Sequence, residues 1–205
     1  MTSVDPGSAE YWDARYATIA EQDVSWFQAE PTTSLTLINS VAGVGASVVD
    51  VGGGASRLVD RLLAAGYRDV TVVDLSAEAL RASRERVGDA PVAWVATDVR
   101  DWQPARAFDV WHDRAAYHFL TDVDDQSRYW HLVRESVASG GFVVMGTFGE
   151  DGPESCSGLP VARYSSATLA EAMGPGFVVR ASTQEPHVTP TGATQPFVWV
   201  VAERV

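Results

Sequence analysis

Short runs of β-branched residues alternate with longer helical patterns from Ser47 onward, and this alternation restricts the fold more than any other feature of the sequence. It is typical of a parallel sheet that is covered by helices. Five runs predict strands at Ser47–Val51, Val70–Asp74, Val92–Ala96, Phe108–His112 and Phe142–Phe148. The segments between them predict helices at Arg57–Ala65, from the N-cap Ser76 to Val87, and at Asp124–Ala138.

The C-terminal part departs from this alternation. A short helix is predicted at Thr168–Met173, and two further strands follow at Phe177–Thr183 and Phe197–Val201 with no helix between them. A parallel pair of strands needs a long crossover connection. We therefore expect the last two strands to form an antiparallel return.

The residues before Ser47 predict two helices, Tyr11–Ile19 and Thr33–Val41, that pack over the sheet. Met1–Tyr16 has no apolar core, so we expect no signal peptide. No apolar run reaches the ~18 residues that a membrane span needs, so we expect no membrane partner. The length suits one domain, residues 1–205, with a helical lid at 1–46 and a core at 47–205.

Charge and cysteine content exclude several classes of protein. The 205 residues include 15 basic and 27 acidic side chains, a net charge of −12, and every basic residue is arginine. An acidic chain is a poor match for nucleic acid, and a chain without lysine has no Schiff-base or phosphate-loop lysine. The single Cys156 excludes an internal disulfide and a multi-cysteine zinc site. We expect a cytoplasmic protein with no bound metal.

The loop after the first predicted strand contains Gly52, Gly53 and Gly54. Glycines between a strand and a helix allow the backbone to approach a ligand closely, although they also occur in tight turns that bind nothing. A dinucleotide-binding loop would have a third spaced glycine where this chain has Arg57. Asp50, just before the loop, would repel a pyrophosphate and attract a cationic ligand. The loop therefore argues against a nicotinamide cofactor.

Acidic residues also end the next two predicted strands. Asp74, followed by Leu75, lies 20 residues after Gly54, where a carboxylate can accept hydrogen bonds from a ribose diol. Asp98 follows the third strand, and Val99 beside it can cover the face of a base. Each acid alone is more often a cap at a strand end. Together with Asp50 they surround the glycine loop, which favours a ligand site.

These segments resemble the motifs of the class I S-adenosylmethionine-dependent methyltransferases. VVDVGGGAS is similar to the first motif of that family, TVVDLS to the second and VATDVRDW to the third. The resemblance implies a Rossmann-like three-layer sandwich with a seven-stranded, mostly parallel sheet and an antiparallel last strand. It implies S-adenosylmethionine as cofactor, with the methionine end at Asp50 and the glycine loop, the ribose at Asp74 and the adenine at Asp98 and Val99.

The N-terminal segments YWDARY and DVSWFQ provide a second resemblance. They are similar to the tryptophan-containing lead segments of thiopurine, thiol and halide methyltransferases, and of small protein-lysine methyltransferases. In those families the lead folds over the cofactor. Trp26 is thus a candidate for contact with the sulfonium or the adenine. The alternative is that Trp12 and Trp26 only anchor a covering helix to the core.

The fourth predicted strand ends in WHDRA, which resembles the Trp-x-Asp-Arg-Gly stretch of thiopurine methyltransferases. Because this strand ends beside the transferable methyl group in that fold, we expect His112, Asp113 and Arg114 to border the acceptor as catalytic residues. Ala115 replaces the glycine of the motif, which puts close backbone approach in doubt. The alternative is an Asp113–Arg114 pair that only holds a loop.

The remaining chemically distinctive residues are less informative. His118 and Phe119 can face either the pocket or the core, and His131 is expected on the surface or in packing. His187 falls in an apparently irregular stretch, 185–190, that is expected to form an acceptor rim with 150–164. Cys156 lies in that second stretch and is expected to be structural.

The sequence therefore predicts an enzyme that transfers a methyl group from S-adenosylmethionine, by in-line displacement, to a small molecule with a thiol or a similar soft nucleophile. A base is needed only if the acceptor arrives protonated. One alternative is a protein-lysine methyltransferase, whose acidic surface would attract a basic substrate. The other is a non-catalytic binder of S-adenosylmethionine or S-adenosylhomocysteine.

Overall fold

The computed structural model describes residues 4–205, whose main feature is a seven-stranded sheet. Its strands lie in the order β3-β2-β1-β4-β5-β9-β8. Their bounds are β1 Ser47–Val51, β2 Asp69–Asp74, β3 Val92–Ala96, β4 Phe108–Arg114, β5 Val137–Phe148, β8 Phe177–Val188 and β9 Thr194–Arg204. A separate two-stranded ribbon consists of β6 Ser155–Cys156 and β7 Leu159–Pro160.

Within residues 4–205, six α-helices accompany the sheet, namely α1 Ala9–Thr18, α2 Thr32–Val41, α3 Leu58–Ala65, α4 Ala77–Val87, α5 Val123–Ser136 and α6 Ser166–Met173. Buried side chains of α2, α3 and α4 pack with one face of the sheet, and those of α5 and α6 pack with the other. The three-layer α/β sandwich expected from the sequence is therefore confirmed. No helix in the described part of the chain is long and apolar enough to cross a membrane.

The local sequence explains where these elements begin and end. All five residues of β1 are buried, as expected for a central parallel strand covered on both faces. Ser76 caps α4 by accepting a hydrogen bond from the amide of Ala79, and Asp122 caps α5 in the same way. Gly66 ends α3 with a φ of 106°, a left-handed conformation that glycine adopts without strain.

The antiparallel return is confirmed, but it is longer than the sequence predicts. β9 pairs antiparallel with both β5 and β8. The stretch 185–190 was expected to be irregular, and that expectation is wrong for 185–188, which belong to β8. Pro186 obscures the strand pattern in the sequence, yet it is tolerated here because β8 lies at the edge of the sheet.

Gly146 on β5 makes the close approach of β9 possible. It pairs with Trp199, and a Cβ atom at Gly146 would lie 2.8 Å from two carbons of that fully buried indole ring. We expect Gly146→Ala to reduce the free energy of unfolding by about 1–3 kcal/mol, since the ring has no space to move. Urea denaturation would measure this loss.

Gly149→Ala is the matched control, because a Cβ atom there would lie 3.6 Å from its nearest neighbour, which is ordinary contact. We expect that variant to stay within about 0.5 kcal/mol of the wild type. Equal effects of the two substitutions would contradict the packing explanation.

Candidate active site

A cavity of about 380 Å³ lies at the carboxyl ends of β1, β2, β3 and β4. In open α/β sheets this edge is where ligands bind. The candidate residues that line it are Trp26, Gly52, Asp74, Leu75, Asp98, Val99 and Arg114. A second, small cavity of about 50 Å³ is lined by Asp50, Gly53 and His112, and it shares Tyr16, Trp26, Gly52 and Arg114 with the large one.

The glycine loop lies so close to two carboxylates that no side chain fits. A Cβ atom on Gly53 would lie 2.6 Å from Oδ2 of Asp50, and one on Gly54 would lie 2.7 Å from Oδ2 of Asp74. Gly52 has a φ of 69°, and its Cβ would lie 2.6 Å from that of Ala116. The loop therefore requires glycine at all three positions, and it brings bare backbone to the cavity edge.

Asp50 is joined to His112 on the neighbouring strand. The two residues are register partners on β1 and β4, and Oδ1 of Asp50 lies 2.7 Å from Nδ1 of His112. The other ring nitrogen lies 2.9 Å from the hydroxyl of Ser34 on α2. All three residues are buried, and Oδ2 of Asp50 has no hydrogen-bond partner among residues 4–205. This buried oxygen, beside the small cavity, is suited to a cationic donor.

Asp74 ends β2 at the wall of the large cavity. Its Oδ1 accepts a hydrogen bond from the amide of Ser76, 2.8 Å away. Burial raises the pKa of the Asp74 carboxyl to about 7, and the nearby Asp50 contributes to the rise. A ligand that donates hydrogen bonds to this carboxylate would therefore favour its ionised form.

Asp98 follows β3 and also borders the large cavity, with Val99 beside it. The Asp98 carboxylate accepts hydrogen bonds from the guanidinium of Arg100 at 2.5–3.0 Å, and Arg100 in turn reaches Asp125 at 2.7 Å. The carboxylate is thus held by a protein partner, while the apolar side chain of Val99 remains part of the cavity wall.

The structure separates Asp113 from its two neighbours on β4. Alternate side chains of a strand point to opposite faces, so His112 and Arg114 do not share a face with Asp113. The Asp113 carboxylate is fully buried and accepts hydrogen bonds from the amide of Ala116 at 3.0 Å and the hydroxyl of Tyr129 at 2.5 Å. Asp113 lines neither cavity. The expectation that it borders the acceptor is wrong, because the turn after β4 occupies its oxygens.

That turn contains a strained residue. Ala115 has a φ of 66°, in the left-handed region where the resembling motif has glycine. A residue with a Cβ atom pays about 1–2 kcal/mol for this conformation. The alanine therefore adopts the left-handed backbone that glycine adopts without strain, and Ala115 lines the large cavity.

Arg114 lies where the two cavities meet. Its Nη1 donates a hydrogen bond to the carbonyl oxygen of Trp26 at 3.0 Å, and its guanidinium carbon lies 4.5 Å from the centroid of the Phe197 ring. Nε and Nη2 are buried and have no hydrogen-bond partner in the described chain. Arg114 does not form the alternative ion pair with Asp113, whose carboxylate accepts hydrogen bonds from Ala116 and Tyr129.

The N-terminal residues cover the site with aromatic rings. Trp12 makes edge contacts with Trp26 at 6.0 Å and with Phe119 at 5.3 Å between ring centroids, and all three line the large cavity. The guanidinium of Arg15 lies 5.5 Å from the centroid of the Trp26 ring. The tryptophans thus both anchor the covering segment and form part of the cavity wall.

Hydrogen bonds that the sequence does not reveal hold this cover in place. Asp13 accepts from the hydroxyl of Ser76 at 2.6 Å, which ties α1 to the beginning of α4. The segment around Trp26 is fixed to β8, since Nε2 of His187 lies 2.7 Å from the carbonyl oxygen of Ser25. Gln28 likewise donates to Glu185 at 2.8 Å. Ser34 also borders the site, but the sequence does not single it out because α2 contains several other polar residues.

The remaining candidates divide between core and cavity. His118 is fully buried without partners for its ring nitrogens among residues 4–205, and burial lowers its pKa to about 3, whereas Phe119 lines the large cavity. His131 is exposed. Cys156 borders the large cavity, and burial raises the pKa of its thiol, which does not favour a reactive thiolate. The stretch 150–164 contributes to the cavity wall, but 185–190 does not.

These features fit S-adenosylmethionine. The unpartnered oxygen of Asp50 suits its cationic end, and the Asp74 carboxylate suits a ribose diol. Gly52 and Gly53 border the cavities, whereas Gly54 lines neither of them. Arg57 occupies the position where a dinucleotide-binding loop has its third glycine, so the loop does not match a pyrophosphate site. The Arg57 side chain is paired with Glu21.

Comparisons with known proteins agree with this assignment. Residues 48–141 match a family model described as a methyltransferase domain. No curated protein matches the sequence. Solved structures share the fold, among them the N-methyltransferase NodS from Bradyrhizobium japonicum in complex with S-adenosylhomocysteine. It has a TM-score of 0.74 and 17% identity, over 94% of this chain and 96% of that one.

Two further structures are similar over most of their length. The 1,6-didemethyltoxoflavin N1-methyltransferase of Burkholderia thailandensis has a TM-score of 0.71 and 22% identity, over 96% of this chain and 84% of that one. A structure reported under the conversion of a disulfide bond into a thioacetal group during echinomycin biosynthesis has a TM-score of 0.77 and 18% identity. The match covers 96% of this chain and 92% of that one. This chain therefore shares the seven-stranded fold of these solved structures, and its residues 48–141 are similar to a methyltransferase domain.

Proposed function

We propose that this enzyme methylates a small molecule, with a thiol or a similar soft nucleophile as the acceptor group. The observation that carries the proposal is the lining of the large cavity. Its wall contains Asp74 and Asp98, after β2 and β3, together with the aromatic side chains of Trp12, Phe119 and Phe197. An aromatic wall contributed in part by the N-terminal segment favours a compact, partly apolar acceptor.

The cofactor would lie along the β1–β3 half of the site. We assign its methionine end to Asp50 and the small cavity, with Gly52, Gly53 and Gly54 beneath it. Asp74 would accept hydrogen bonds from the ribose, with Leu75 beside it. Asp98 and Val99 would border the adenine. Trp26, which lines both cavities, would contact the cofactor near its sulfonium.

When bound, S-adenosylmethionine supplies a methyl group on a sulfonium: the acceptor's lone pair forms the new bond to carbon, and the electrons of the broken carbon–sulfur bond stay on the departing sulfur. The chain's own task is to hold the two reactants in line, which can contribute about 7–11 kcal/mol. The cover of Trp12, Tyr16 and Trp26 would exclude water, and residues 1–46 would thus act as the lid of a core at 47–205.

His112 is placed to receive a proton through Ser34 when the acceptor arrives protonated. With Asp50 accepting from Nδ1, the imidazole presents Nε2 as an acceptor for the Ser34 hydroxyl. Ser34 borders the small cavity, so this route requires the nucleophile of the acceptor to lie where the two cavities meet, beside Trp26 and Arg114. A proton can pass from the acceptor to the Ser34 oxygen as the hydroxyl proton moves to His112, and Asp50 then stabilises the imidazolium. A thiolate acceptor would not use this route.

The binding test uses isothermal titration calorimetry with S-adenosylhomocysteine. The Asp74 carboxyl, whose pKa is about 7, must ionise to accept the ribose hydrogen bonds best. We therefore expect affinity to rise about tenfold from pH 6 to pH 8, as follows from the fraction of ionised carboxyl at each pH. Asp74→Asn should bind more weakly at pH 8 and show no such rise. An equal pH dependence in the variant would contradict the ribose assignment.

The acceptor test measures S-adenosylhomocysteine formation with benzenethiol, phenol and a lysine-rich protein as acceptors. We expect turnover with the small acceptors and none with the protein. Turnover with the protein alone would favour the lysine methyltransferase alternative. Tight cofactor binding without turnover on a broad panel of thiols, amines and phenols would favour the non-catalytic binder.

Ser34→Ala tests the proton route. We expect kcat for phenol to fall at least about 100-fold, the usual contribution of a positioned base, while kcat for benzenethiol at pH 8 changes less than about threefold. Ser40→Ala is the control, because Ser40 is exposed on the same helix. If the two acceptors lost rate equally, the role of His112 would be general positioning and not proton transfer.

A further inference from the structure

We infer that Arg114 is the receptor for a carboxylate on the methyl acceptor, so that the enzyme acts on small aromatic or apolar carboxylic acids that carry the nucleophile. This inference rests on the proposed function and specifies its substrate class. It starts from an arginine with two buried donor nitrogens that have no hydrogen-bond partner among residues 4–205.

Arg114 uses only part of its hydrogen-bonding capacity within the described protein. Nη1 is occupied by the carbonyl oxygen of Trp26, whereas Nε and Nη2 have no partner among residues 4–205. These two nitrogens form one edge of the guanidinium, with parallel N–H groups that match the two oxygens of a carboxylate. A buried charged group without partners is costly, and a ligand that supplies them would recover that cost.

The acids near Arg114 are engaged elsewhere. Glu185 accepts from Gln28 through one oxygen and from Trp199 through the other, both at 2.8 Å. Asp50 is joined to His112. Burial lowers the pKa of Arg114 to about 10, which still leaves the guanidinium charged at neutral pH. Glu185 and Asp50 attract the guanidinium from a distance, but neither accepts a hydrogen bond from it.

When bound, the cofactor would add the positive charge of its sulfonium to the site that contains the Arg114 guanidinium. A carboxylate on the acceptor would contribute a compensating negative charge, which a neutral acceptor would not.

The position of Arg114 indicates the acceptor and not the cofactor as the source of the carboxylate. Its guanidinium lies over Phe197 on β9, and Phe197 borders the large cavity but not the small one. β9 lies beyond β5, on the opposite side of β4 from β1, β2 and β3, where the candidate cofactor residues are. Arg114 does also border the small cavity, so the experiment must separate the two sources.

The first measurement compares benzoate with benzamide, which have nearly the same shape, as ligands of the complex with S-adenosylhomocysteine. We expect calorimetry to give at least tenfold tighter binding of benzoate to the wild type. This ratio should fall to about one in Arg114→Gln and to an intermediate value in Arg114→Lys, which keeps the charge but loses the two-pronged edge. Arg84→Gln, at an exposed position of α4, should keep the wild-type ratio.

The second measurement uses 3-mercaptobenzoate and benzenethiol as acceptors. In the wild type, we expect kcat/KM for 3-mercaptobenzoate to exceed that for benzenethiol at least tenfold. In Arg114→Gln, the two values should be about equal. Equal binding of benzoate and benzamide by the wild type would overturn the inference without any variant, so the result does not depend on how well the variants fold.

The third measurement separates acceptor from cofactor. S-adenosylhomocysteine carries a carboxylate, and 5′-methylthioadenosine lacks it. If Arg114→Gln weakened the first more than tenfold and left the second unchanged, the guanidinium would hold the cofactor, and the inference would be overturned. A wild type that bound neither nucleoside would instead refute the proposed function. Normal nucleoside binding without carboxylate preference would refute only the role of Arg114.

Discussion

The buried contact between Asp50 and His112 is the interaction on which the site depends. It joins β1 to β4 at their carboxyl ends, and through Ser34 it also fixes α2. The same carboxylate lies so close to Gly53 that the loop can have no side chain there. One acidic residue thus connects two strands and α2, restricts the glycine loop and contributes to the polarity of the small cavity. Its free oxygen is what remains for a ligand.

The charged groups in and around the site differ in how far their hydrogen-bonding capacity is satisfied. Asp98 is held by Arg100, Glu185 by Gln28 and Trp199, and Asp113 by the turn after β4. Each of these acids has a structural partner, so its presence near the cavity does not by itself imply chemistry. Asp50, Asp74 and Arg114 differ, because part of their hydrogen-bonding capacity is left over. In a buried site this unused capacity is the best indicator of where a ligand binds.

Much of the fold was predictable, because the signals are local. The strands and the helices on either side of the glycine loop follow from β-branched runs, helical spacing and caps such as Ser76. The predictions failed where a local signal was misleading: Pro186 suggested an irregular segment, although an edge strand accommodates proline. Strand alternation in the sequence implies that Asp113 cannot share a face with His112 and Arg114, but only the structure shows which face borders the cavities. The resemblance of the whole motif obscured that simple rule.

The sequence by itself determined the α/β class, the position of the glycine loop and the acids that end the first three strands, because each depends on residues adjacent in the chain. Only the tertiary structure decided which of these groups remain free. The partners of His112 are 62 and 78 positions away, and Trp26 lies 88 positions before Arg114. Such contacts form when distant segments pack together, and no local pattern of residue types specifies them. Residues at the strand ends therefore supply the chemical groups of the site, whereas the segments that fold over them determine which of these groups can bind a ligand.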